Sequence, residues 1–183
     1  MHIITQTRYG EQAGAARGYN PGKRGRASHH PSLAFIADAR MVANCWLRPG
    51  DAHTANDSEA FLHATLDQLG GKRVALLRAD SGFCAKGFLS VLENKQIHYI
   101  IALRLNQPVQ RALVDQRGWW CLDDGIELTH FDYQASSWEQ PRRVIGIRQH
   151  IQRRENAKGK TLSLFADDPL HGQYRYAALV TDN

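Results

Sequence analysis

The sequence predicts an α/β fold: a mixed sheet, at least partly parallel, with flanking helices and a β-rich stretch appended to it. Three observations predict this. Apolar runs at 73–79 and 98–105 are too short for helices, and amphipathic helical stretches precede and separate them. Residues 33–47 hold two strand-like runs back to back. Beyond Asn106 the pattern turns to short β-forming runs joined by polar turns.

Residues 8–32, RYGEQAGAARGYNPGKRGRASHHPS, show no apolar period and concentrate cations at Lys23, Arg24 and Arg26, so they read as an extended loop or an irregular excursion from a hairpin. LAFIADA at 33–39 and MVANCWL at 41–47 follow as an antiparallel pair, stopped by Arg48-Pro49-Gly50. Asn56 and Glu59 have capping-box spacing, and Phe61, Leu62, Leu66 and Leu69 form an apolar stripe ended by Gly70-Gly71; a helix is expected there. The run at 73–79 predicts a buried strand ending at Asp80-Ser81-Gly82. A second helix is expected over 85–95 with Phe88, Leu89 and Leu92 inward, then a buried strand over 98–105. Short strands are predicted at 118–120, 126–133, 143–151, 161–165 and 174–181. The organisation expected is a core at 1–106 and, at 107–183, a β-rich insertion with a final strand. That strand reaches almost to Asn183 with no closing element after it, so the fold is expected to be incomplete there.

The 183 residues, 43% hydrophobic and 22% charged, suit a globular domain rather than a disordered or collagen-like chain. No apolar run approaches the roughly 20 residues of a membrane span, so no membrane partner is expected, and nothing at the N-terminus reads as a secretory signal. Three cysteines, Cys45, Cys84 and Cys121, without a CxxC pair, argue against a disulfide scaffold or structural zinc. Cys45 and Cys84, among apolar neighbours, are expected to be small buried hydrophobes in a reducing cytoplasm. A net charge of +5 favours a polyanionic partner without naming it.

Asp80 is the leading candidate for chemistry. It follows a buried strand and precedes a glycine turn, the edge of an open α/β sheet where ligands gather, and a carboxylate there can hold Mg²⁺. The alternative, that Asp80 only caps the following helix, stays open. Asp38, Asp123-Asp124 and Asp167-Asp168 read as turn residues. Asp51-Ala52-His53 and His29-His30 lack metal-site spacing, and the roles of His29 and His30, in DNA contact or strand capping, are left open. No GxSxG elbow, P-loop or dinucleotide fingerprint is present. Two basic stretches remain. One holds Arg17, Lys23, Arg24 and Arg26 with Tyr19; the other runs over 142–160 and includes Arg143 and Arg148. Both have the cation density that phosphate binding needs.

The blocks RYGEQAGAARGYNPGKRGRASHHPSLAFIADAR, LRPGDAHTANDSEAF and LLRADSGF together resemble the DDE transposases of bacterial insertion sequences, from about Thr7 onward. The resemblance implies an RNase H-like core with a β-rich insertion, double-stranded DNA at insertion-sequence ends as partner, and cleavage and strand transfer. It implies three acids holding two divalent ions, Mg²⁺ or Mn²⁺. Asp80, in RADSGF, matches the second of them as catalytic and metal-binding residue. Lys23, Arg24, Arg26, Arg143 and Arg148 become candidates for phosphate contact.

The departures are as informative. The family's first acid would precede RYGEQ, where this sequence reads MHIITQT; its third lies on a helix beyond the last insertion strand, and this sequence ends at VTDN. The expectation is a fragment incomplete at both termini, with weak or absent metal binding, apolar sheet surface left exposed and no activity alone. A non-catalytic DNA-binding or transposase-inhibiting protein is the alternative, as a homodimer or paired with an intact transposase. Either would act in the cytoplasm, at the bacterial nucleoid.

Overall fold

A computed structural model gives the fold of residues 1–18, 20, 22–52, 54–151 and 172–182. The chain divides into two units, Met1–Tyr99 and Ile100–Asn183. The first opens with four very short strands, β1 (His2–Ile3), β2 (Gln6–Thr7), β3 (Ala16–Arg17) and β4 (Ala27–His29). The expected antiparallel pair follows as β5 (Ser32–Ile36) and β6 (Met41–Trp46), joined by an exposed turn that contains Asp38 and turns at Arg40 with φ of 50°. β1 adds to β5, giving the order β1-β5-β6, while β2, β4 and β3 form a small sheet of their own.

That second sheet corrects the extended-loop reading of 8–32 and is nearer the alternative, an excursion from a hairpin. Strands of two or three residues are too short to show a period, and what fixes them is backbone packing. A Cβ on Gly18 would lie 2.0 Å from the Gly50 carbonyl oxygen, and one on Gly50 would lie 2.3 Å from Ser28 Oγ and 2.5 Å from the Ala16 oxygen. β3, β4 and the turn at Gly50 meet there with no room for a side chain.

Helix α1 (Thr54–Gln68) begins ahead of Asn56, so the capping-box spacing places its start slightly late. Its buried face carries Phe61 and Leu62; Phe61 meets Trp46 of β6 edge-on at 5.3 Å, and Asn44 Nδ2 donates to Thr65 Oγ1 at 3.1 Å. Next come β7 (Leu76–Ala79), a 3₁₀ turn at Ser81–Phe83, α2 (Lys86–Asn94) and β8 (His98–Ala102), with β7 and β8 neighbours in one sheet. Both strands are shorter than the apolar runs that predict them. β7 is not wholly buried: Leu77 is, whereas Leu76 and Arg78 are exposed. The core of this unit is aromatic and aliphatic, with Phe61, Phe83, Phe88, Leu89, Leu92 and Tyr99 all sealed from solvent.

In the second unit Ile100–Ala102 of β8 pair with β12 (Tyr174–Thr181), and the sheet continues through β11 (Arg142–His150) and β10 (Ile126–Tyr133) to β9 (Trp120–Asp123), antiparallel throughout. A helix, α3 (Gln107–Val114), which the reading of 107–183 as β-rich does not include, opens this stretch. Asn106 caps it, accepting from the Val109 amide at 3.1 Å, and Val109 and Leu113 pack on Val144, Tyr176 and Ala178. Gly146 on β11 lets it approach, since a Cβ there would lie 2.6 Å from Leu113 Cδ2. The strand expected at 161–165, Asp167-Asp168, Tyr19 and His53 lie outside the described residues. Cys45 and Cys121 are exposed and Cys84 is half-buried, so the expectation of a buried Cys45 fails: it sits on the outer face of an edge strand. Apolar side chains are exposed on the same hairpin, where Phe35 pairs with Val42 across the strands.

The glycine packing has a direct consequence. Gly50→Ala should lower stability by about 3 kcal/mol, the cost of overpacking a closed site. Gly118→Ala, where nothing lies within 4 Å of the new methyl, should leave the melting temperature unchanged. Parallel thermal melts check both.

Candidate functional site

Asp80 stands where the sequence puts it, directly after β7 and at the start of the 3₁₀ turn. Its backbone is extended (φ −78°, ψ 173°), the conformation of a residue that caps a turn, and Oδ1 accepts from the Gly82 amide at 2.9 Å. The other oxygen reaches the N-terminal strand. Oδ2 accepts from the Ile3 amide at 3.0 Å, and His2 Nδ1 lies 3.1 Å away. The carboxylate is about 30% exposed and His2 about 61%. The capping geometry is therefore present, and it leaves Oδ1 with a lone pair to spare.

His2 is the neighbour that sequence reading misses. It occupies the stretch where the resemblance calls for a first acid, and the pairing of β1 with β5 together with the Ile3 amide's bond to Asp80 brings it there. Two-ion phosphoryl chemistry requires several oxygen ligands converging on one place. Here one carboxylate and one exposed imidazole meet, and among the described residues no group of three or more His, Cys, Asp or Glu side chains is placed to hold an ion. The described residues do not fit a two-ion centre.

The cationic candidates separate into two kinds. Lys23, Arg24 and Arg26 are exposed on the turn that precedes β4. Buried Asn20 shapes that turn: its Oδ1 accepts from the Lys23 amide at 2.9 Å, and its Nδ2 donates to Thr7 Oγ1 at 2.9 Å. Lys23 Nζ hydrogen-bonds Tyr9 Oη and lies 5.1 Å from the ring centroid, with the Arg26 guanidinium at 5.8 Å. The Lys23 hydrogen bond and charge, with a smaller push from Arg26, hold the Tyr9 phenol below its ordinary pKa. Tyr9, 60% exposed, is the second residue that sequence reading passes over, although the Arg8-Tyr9 pair precedes the basic turn.

The other stretch behaves differently. Arg148 is not offered to solvent; Glu127, directly opposite on β10, pairs with its Nε, and the guanidinium lies 4.4 Å from the Trp119 centroid and 4.5 Å from that of Tyr174. Alternation explains this, since Arg142, Val144, Gly146 and Arg148 share one face of β11 and that face is the covered one. Arg142 is buried over Trp138 at 5.1 Å, and Arg143, exposed, stands opposite Asp132 in the register. Of the two phosphate-contact candidates on β11, Arg148 is thus engaged by Glu127 and two rings, and Arg143 is exposed with Asp132 opposite it in the register. His29 and His30 are both buried, His29 at the end of β4, so neither faces a nucleic acid as the chain stands.

The family described as Transposase DDE domain group 1 matches residues 5–160, and the chain belongs to it. Proteins of this family generally use a divalent metal. No curated protein matches the sequence. Among solved structures the chain is similar to a protein in the cryo-EM structure of piggyBac transposase synaptic complex with hairpin DNA, at 11% identity and a TM-score of 0.52. The likeness covers 100% of this chain and 32% of that one, so the chain spans about a third of that protein's length. At this identity the likeness speaks for the fold: a mixed α/β architecture shared with a transposase.

Asp80→Ala should cost about 2–3 kcal/mol, through a lost cap and an unpaired Ile3 amide, lowering the melting temperature by roughly 5–10 °C. His2→Ala, at an exposed position, should cost under about 1 kcal/mol. Thermal or urea unfolding of the two variants measures the difference.

Proposed function

We propose that this chain is the DNA-engaging part of a bacterial insertion-sequence transposase with an RNase H-like core. The parent activity is cleavage and strand transfer at insertion-sequence ends, supported by Mg²⁺ or Mn²⁺, and Asp80 is the acid this chain contributes to it. On its own the chain binds double-stranded DNA and does not cut it. Membership of the DDE family supports the reaction class. The observation that carries the binding reading is the exposed turn of Lys23, Arg24 and Arg26 beside Tyr9: three cations and an aromatic ring at one surface, fixed by a buried asparagine. Such a surface suits phosphate groups with a base or sugar against the ring. No helix among the described residues is long and apolar enough to cross a membrane. A DNA-binding chain of this kind would work in the cytoplasm, at the nucleoid.

A second reading uses the same surface. The want of a two-ion donor set among the described residues favours a chain that occupies transposon ends, as a homodimer or paired with an intact transposase, and inhibits the latter.

Both readings are tested by a salt titration of DNA binding, followed by fluorescence anisotropy. Affinity should fall steeply with salt. Replacing Lys23, Arg24 and Arg26 together by glutamine should weaken binding and reduce the log–log salt slope by about 2–3, near 0.9 for each phosphate that is no longer neutralised. Arg148→Met should leave the slope unchanged. Wild-type affinity that is flat with salt would contradict the proposal.

A further inference from the structure

Arg48 is a buried cation without adequate partners. The residue is 5% exposed. Its Nε donates to the His30 carbonyl at 3.3 Å, its Nη1 lies 3.9 Å from Asp57 Oδ2, and its Nη2 has no partner. A separation of 3.9 Å is too long for a hydrogen bond, so a five-donor group makes one bond, to a neutral oxygen. The backbone holds it in place: the Arg48 carbonyl accepts from the His30 amide at 2.8 Å, and Pro49 bridges His29. Burial pulls the guanidinium pKa down, while the charges of Asp57 and then Asp80 oppose that pull. An arginine nonetheless stays protonated, and a buried charge this poorly matched calls for an anion.

The direction in which it points says which anion. Asp57 belongs to the first turn of α1, a helix of fifteen residues, so the guanidinium faces a helix N-terminus. There the first-turn amides lack intrahelical acceptors and the helix dipole is positive. Two positive elements therefore meet, and the carboxylate beside them is half-exposed, at 49%. The fork of an arginine and the amides of a helix start both match a tetrahedral oxyanion.

We infer that Arg48 and the first turn of α1 form a phosphate-binding site, in which a phosphate group takes the Nη edge of Arg48 and Asp57 is a placeholder that the phosphate displaces. Two sources present this chemistry: free inorganic phosphate, and a phosphate of the DNA backbone. Only the second rests on the DNA-binding proposal above.

The test is a thermal-shift titration of the full chain with inorganic phosphate, at ionic strength matched with chloride. Wild type should show a saturable rise in melting temperature, about 5 °C or more at saturation. Arg48→Met should abolish the rise. Asp57→Asn should keep it and reach half-saturation at several-fold lower phosphate. Should Arg48→Met fail to fold, wild type and Asp57→Asn decide. No rise in wild type, or a rise that stays linear as for a generally excluded salt, overturns the site. A loss of the rise in Asp57→Asn overturns it too, because the phosphate would then not be taking the place of Asp57. A DNA-binding arm separates the sources. With the phosphate rise present, a salt slope smaller by about 1 in Arg48→Met assigns the site to DNA phosphate, and an unchanged slope assigns it to free phosphate. A wild-type chain that binds phosphate but no DNA sinks the DNA reading alone.

Discussion

The carboxylate of Asp80 ties together two parts of the first unit that are remote in sequence. One oxygen caps the turn after β7 and the other accepts the Ile3 amide of β1. β1 has only two residues and two backbone partners on β5, too little to hold a strand by itself. Asp80 supplies the missing anchor, and with it the position of His2. The same two hydrogen bonds that keep the carboxylate at the sheet edge also occupy much of its acceptor capacity. The group proposed for chemistry is thus also a structural tie at the sheet edge.

Charge is distributed by a comparable logic. On β11 the cations are engaged by neighbours or faced by an acid: Arg142 over Trp138, Arg148 between two rings and against Glu127, and Arg143 opposite Asp132. The first unit shows its cations to solvent on the turn at 22–26 and hides another, Arg48, behind them in sequence and out of water. Lys23, Arg24 and Arg26 stand exposed together on the N-terminal turn, while Arg104, Arg111, Arg117 and Arg175 are exposed in the second unit.

How much of this is legible in the sequence depends on length scale. The hairpin of β5 and β6, helices α1 and α2 and the position of Asp80 all rest on periods or stop signals that a single chain displays, and they stand where expected, within a few residues at the ends. β3 and β4 are not legible, because two- and three-residue strands are set by contacts such as Gly18 against Gly50 that join distant segments. α3 carries a signal that points two ways: Pro108 looks like a breaker, yet at the first turn it is well placed, and Asn106 is the cap. The fate of Arg148 is also written in the sequence, as alternation with Val144 on β11, but charge density taken without the strand period conceals it. His2 beside Asp80 has no local signal, since strand pairing and the bond from Ile3 to Asp80 join segments remote in sequence.

We propose that Asp80 is the acid this chain brings to transposase chemistry, and the described residues do not fit a two-ion centre. Titration of the purified chain with Mn²⁺, followed by the electron paramagnetic resonance of the free ion, tests it most directly. The account predicts that the free-ion signal persists at micromolar chain and metal, with at most one weakly held ion that Asp80→Asn removes. Stoichiometric loss of signal for two ions per chain, with the spectrum of a spin-coupled pair, would contradict it.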